Sequence, residues 1–169
     1  MVVRNAETTA SAAMPNVAGA RILILEAPYY AKITNALAEG ALAAITGAGA
    51  TAERLAVPGA LELPQALSAL VEANRIGQFA GDRKKWDGVV VLGCVIRGET
   101  THYETVCDNS NHWLMRVAVQ HGVPLGNALL TVNTEAQAWE RADPAKANCG
   151  GGAAVACLRL IEIKRQFGA

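Results

Sequence analysis

This chain has no bias of charge, no long apolar run, few aromatics and no paired-cysteine motif. Its 169 residues carry 15 Lys and Arg against 15 Asp and Glu. A nucleic-acid binder normally shows a basic excess, and a polybasic membrane anchor shows a cluster of one, so the balance argues against both. No apolar stretch approaches the roughly 20 residues of a membrane span. Residues 1–20 mix Ala, Thr, Asn and Val without a continuous apolar core. They read as a flexible N-terminal arm rather than a secretory signal. Cys94, Cys107, Cys149 and Cys157 show no CxxC spacing, and each lies in or beside an apolar segment. Reduced thiols in a cytoplasmic protein fit that better than a disulfide frame. The three histidines lack zinc-ligand spacing.

What remains is rich in Ala, Gly, Val and Leu, and long enough for one domain with its own core, expected over 21–169. Residues 21–27 (RILILEA) read as a buried strand. From Tyr30 to about Ala48 the apolar positions Ile33, Leu37, Ala41 and Ile45 follow helical spacing. A second strand is expected over 51–57, a second helix over 60–76, and a polar loop over 74–86. A third strand covers 89–92 within the apolar run 88–93, a third helix about 102–120, and a fourth strand 127–132. Thr134, with Gln137 three residues on, opens a short helix to Arg141 through a capping box. A final helix is expected over 151–166. Strands alternating with helices imply parallel βαβ units with right-handed crossovers and a three-layer α/β sandwich.

The densest stretch is 94–107, CVIRGETTHYETVC. It follows the apolar strand and leads into the third helix, so its turn at Gly98 lies where ligands bind in an open parallel sheet. Free N–H groups at a helix start suit a phosphate, and His102 can move protons near neutral pH. The other strand ends offer Tyr29, Glu62 and, beyond the fourth strand, Arg141. Singly each has a plain reading: packing for Tyr29, dipole complementation for Glu62, a solvated helix end for Arg141. Cys107 reads as a buried structural thiol rather than a nucleophile. His112 and His121 read as ordinary helix residues.

VPGALELP at 57–64, GCVIRGETTHYETVC at 93–107, and VPLGNALLTV with EAQAWERAD within 123–143 closely resemble the lumazine synthase family, in order along the chain. The resemblance implies a flavodoxin-like sandwich with a four-stranded parallel sheet and helices on both faces. It implies a transferase of riboflavin biosynthesis that joins 5-amino-6-ribitylaminouracil to 3,4-dihydroxy-2-butanone 4-phosphate. The resemblance implies neither a metal nor an organic cofactor. The assembly implied is a pentamer or a multiple of it, with active sites between subunits and riboflavin synthase as a further partner. By the same resemblance His102 is the acid/base. Gly98, Glu99, Thr100 and Arg141 hold phosphate. Tyr29 stacks on the pyrimidine, Val95 and Ile96 hold its edge, Ala60, Leu61 and Glu62 meet the ribityl chain, and Asn127 completes the substrate site. Asn127 stands where the family often has phenylalanine. Cys149 and Gly152 stand where it usually has a lysine and an acid. Those departures keep a second reading open, a catalytically weakened scaffold or ligand-binding protein of the same fold.

Overall fold

In a computed structural model that describes residues 13–168, four parallel strands form one sheet in the order β2-β1-β3-β4. The elements alternate along the chain: β1 (Arg21–Ala27), α1 (Ala31–Gly47), β2 (Thr51–Ala56), α2 (Glu62–Glu72), β3 (Gly88–Ile96), α3 (His102–His121), β4 (Leu125–Val132), α4 (Glu135–Ala142) and α5 (Cys149–Phe167). A 3-10 turn, Gly81–Arg83, lies in the loop before β3. The chain moves from β1 outward to β2, then crosses back to β3 and β4. All the strand ends that follow the carboxyl direction therefore gather on one rim.

Side-chain alternation on the strands builds two cores. Ile22 and Ile24 of β1 and Val90 and Leu92 of β3 pack under α1, α4 and α5, with Leu37, Ala138 and Leu158. Leu23, Leu25, Val89 and Val91 point the other way, against Leu63 and Leu67 of α2 and Leu114 of α3. Fully burying each such aliphatic side chain contributes about 1.5–3 kcal/mol. The flavodoxin-like sandwich expected from the sequence is thus present, with both faces of the inner strands covered, as all-parallel sheets require. The edge strand β2 is mostly exposed. It carries charge, with Arg54 gripping the carboxylate of Glu26 through Nε and Nη2 and Glu53 pairing with Lys85. Charged edges discourage strand addition by chance partners.

Several boundaries differ from the sequence reading. β3 continues through Val95 and Ile96 because these residues pair with Thr131 and Val132 of β4, so they are strand and not turn. α2 is shorter than expected. Residues 58–61 form a turn ahead of it, in which the Glu62 N–H donates to the Gly59 carbonyl at 3.2 Å, and Asn74 adopts φ 56° just beyond its end. At α4 the Thr134 hydroxyl accepts from the Gln137 N–H at 3.2 Å, but the Gln137 side chain accepts from the Asn133 N–H at 2.8 Å, one residue earlier than a capping box requires. Of the expected arm, residues 1–12 lie outside the described residues. Residues 13–18 run along α5, where the Asn16 N–H donates to Glu162 at 2.8 Å, Arg159 donates to the Ala13 carbonyl, and Arg165 to that of Ala18.

Candidate active site

A cavity of about 360 Å³ opens at the carboxyl rim between the ends of β1, β2 and β3. Pockets for small molecules are typically about 300–1,000 Å³. Tyr29 enters it from the loop after β1. Ala60, Leu61 and Glu62 enter from the β2–α2 turn, Val95 and Ile96 from the last residues of β3, and Gly98, Thr100 and His102 from the β3–α3 turn. Residues far apart in sequence meet because all four strands run parallel, so their carboxyl ends share one rim. Tyr29 is 76% exposed and meets Tyr30 edge to face at 5.1 Å. At that exposure most of its ring is open to a flat ligand.

The β3–α3 turn is open to solvent. The N–H groups of Gly98, Glu99 and Thr100 donate to no protein acceptor among the described residues. Thr101, at the head of α3, makes no capping bond with its side chain. The His102 N–H has a long contact to the Thr100 hydroxyl at 3.4 Å. Uncapped amides at a helix start favour an anion through their partial charges and the helix dipole. Glu99 lies in the turn between Gly98 and Thr100 but does not itself line the cavity.

Two expected residues are elsewhere in this chain. Asn127 lies exposed on the outer strand β4, where its side-chain N–H₂ donates to Asn111 at 2.7 Å and its carbonyl oxygen accepts from the Leu129 N–H at 2.9 Å. Arg141 is exposed on α4 and donates to the Gln137 carbonyl at 3.2 Å. Neither lines the cavity. Conversely the wall includes Tyr30, Gly59, Cys94, Tyr103 and Val106, none of them singled out from the sequence. Adjacency to Tyr29 and His102 was the available signal for the two tyrosines. Cys94 is reachable only through the fold. Burial, helped by the neighbouring Cys107, pushes its thiol up to about 11. It stays protonated and is unsuited to nucleophilic work. Burial also raises the Cys107 thiol, in keeping with a structural role.

A profile of the 6,7-dimethyl-8-ribityllumazine synthase family matches residues 19–165. The chain is 50% identical to the 6,7-dimethyl-8-ribityllumazine synthase of Azorhizobium caulinodans over 93% of both chains. It is 51% identical to that of Methylobacterium radiotolerans over 89% of this chain and 86% of that one. For the protein of the same name from Nitrobacter hamburgensis the identity is 49%, over 90% of both. The chain belongs to the lumazine synthase family. At this similarity the enzyme is favoured over the weakened scaffold that the departures had left open. The departures themselves have plain positions: Cys149 is the half-buried first residue of α5, and Gly152 faces open space one turn on. No helix among the described residues is long and apolar enough to cross a membrane.

Proposed function

We propose that this lumazine synthase family member joins 5-amino-6-ribitylaminouracil to 3,4-dihydroxy-2-butanone 4-phosphate in the cavity at the carboxyl rim, giving 6,7-dimethyl-8-ribityllumazine and inorganic phosphate. One observation carries the reading. An exposed aromatic ring, unpaired amides at a helix start and a histidine converge on a single cavity of small-molecule size. The pyrimidine lies on Tyr29, with its edge against the backbone of Val95 and Ile96. The ribityl chain runs along Ala60, Leu61 and Glu62. The phosphate sits on the amides of Gly98, Glu99 and Thr100, with the Thr100 hydroxyl as a further donor.

The chemistry follows from that placement. The 5-amino group attacks the ketone and water leaves, forming an imine. Loss of a proton next to the imine then expels phosphate, and the resulting enol takes up a proton to become a ketone. The ribityl-bearing nitrogen closes the ring on this carbonyl with loss of a second water. Each step moves a proton near neutral pH, which suits His102 as acid and base. The leaving phosphate is stabilised where it is bound, so the anion turn lowers the barrier to elimination.

Among the described residues, the cavity wall holds no lysine or arginine to balance the phosphate. Arg141 supplies that charge from an adjacent subunit, and Asn127 completes the substrate site from the same neighbour. The exposed Trp113, Met115 and Val119 on α3 support such an assembly, which we read as a pentamer or a multiple of it, with riboflavin synthase as a further partner. Four unpaired cysteines suit a reducing, cytoplasmic setting. The test is to mix the purified protein with both substrates and follow lumazine absorbance and fluorescence. Product should form well above the uncatalysed rate, and a rate equal to the blank contradicts the proposal.

A further inference from the structure

The turn that presents Gly98, Glu99 and Thr100 makes almost no contact of its own, yet its two ends are joined. Arg97 precedes it, and Tyr103 and Glu104 follow it. The Arg97 guanidinium pairs with the Glu104 carboxylate and lies over the Tyr103 ring, 4.3 Å from its centre. Its Nε donates to the Asn133 side-chain oxygen at 3.0 Å, and its backbone N–H donates to the Val132 carbonyl at 2.9 Å. Arg97 does not line the cavity. One side chain thus closes the turn on itself and fastens it to the end of β4.

We infer that the Arg97–Glu104 pair is a clamp that holds the anion turn in its binding geometry, making Arg97 and Glu104 positioning residues for the phosphate of the substrate. This rests on the reading of Gly98 to Thr100 as the phosphate site. An exposed, glycine-containing turn left free would have to be ordered at each binding event, and that cost would weaken binding. The clamp orders it beforehand. Arginine suits the place because its planar fork can serve Glu104 and Asn133 together while its face rests on Tyr103, which an ammonium cannot do. Exposed ion pairs contribute little to global stability, so the clamp acts locally. The Glu104 hydrogen bond raises the affinity of Arg97 for its proton, and the same bond holds the Glu104 carboxyl below its ordinary value, so both stay charged at neutral pH.

Charge alone and the clamp make opposite forecasts for Glu104→Gln. Removing a negative charge close to the turn should tighten an anion if only the field matters. Opening the clamp should loosen it. The full-length protein is titrated with inorganic phosphate, and KM is measured for each substrate beside a thermal melt. Glu104→Gln and Arg97→Lys are both expected to weaken inorganic phosphate and raise KM for the butanone phosphate by roughly 3- to 10-fold, the scale of re-ordering one or two immobilised groups. The ribitylaminouracil KM and the melting temperature should hold. Phosphate binding in Glu104→Gln that is unchanged or tighter overturns the clamp. So does equal weakening of both substrates with a lowered melting temperature, which marks a merely structural role. If phosphate fails to compete with the butanone phosphate in the parent protein, the site assignment itself falls, and the clamp with it.

Discussion

In the proposed mechanism His102 is the residue on which the chemistry turns; the sequence marked it by its place beside an anion-suited strand-to-helix turn, against the plain alternative of an ordinary residue at a helix start. The fold adds what sequence could not show: Tyr29, distant in the chain, faces the same cavity. His102→Ala should lower kcat by about 10- to 100-fold, at or below the low end of general acid–base effects, because the imine forms without assistance. Steady-state rates check this, and an unchanged kcat removes His102 from the mechanism. Arg97 and Cys94 were passed over for opposite reasons. Arg97 carries no local pattern that marks it, and only the fold sets Asn133 and Tyr103 around it. Cys94 lies on a strand whose alternation says only that it is inside, and which wall it joins depends on how β1 and β2 end.

At the scale of elements, the helices were read correctly wherever apolar spacing was local, as in α1 and α3. Errors came where the boundary is set by a partner. The end of β3 is decided by β4, and the start of α2 by the turn at Gly59. The glycine run at the head of α5 is the clearest case of a signal with more than one meaning. A side chain at Gly150 would lie 2.0 Å from the Leu37 carbonyl oxygen on α1, whereas one at Gly152 meets nothing within 4 Å. Gly150 therefore permits the close crossing of α1 and α5. Gly150→Ala should destabilise the protein by about 1–3 kcal/mol through overpacking. Gly152→Ala should be neutral or stabilising by up to about 1 kcal/mol. Denaturant unfolding separates them, and equal effects would show that the crossing is not tight.

The segment before β1 has its own pH signature. The Asn16 N–H, and then Arg159, hold the Glu162 carboxyl below its ordinary value. A depressed carboxyl contributes stability that is full above its unfolded value and is lost as the pH falls through the folded one. Protection of the Asn16 amide from hydrogen exchange should therefore persist at neutral pH and vanish in acid, below the ordinary carboxylate range. Glu162→Gln should abolish that protection at neutral pH. If the amide stays protected in this variant, the contact is not what holds the segment.

For the whole molecule, the three-layer sandwich follows from the order of strands and helices, whereas the composition of a complete site does not. Arg141 was marked by its place beyond the fourth strand and by resemblance, Asn127 by resemblance alone, and one chain leaves both outside the cavity. No periodicity within a chain encodes what a neighbour supplies. If Arg141 serves the next subunit, co-expressing His102→Ala with Arg141→Ala should restore activity, because some interfaces then pair an intact His102 with an intact Arg141. Were both residues to act within one chain, every site would carry a defect and the mixture would stay as inactive as its parents. Light scattering on the same samples should give a pentamer or a multiple of it. The most direct measurement is a crystal structure of the protein with the ribityl substrate and inorganic phosphate bound. The account expects the pyrimidine ring on Tyr29, phosphate on the Gly98, Glu99 and Thr100 amides, and His102 within hydrogen-bonding reach of the space between them. Ligand bound away from the carboxyl rim, or phosphate held without those amides, would contradict it.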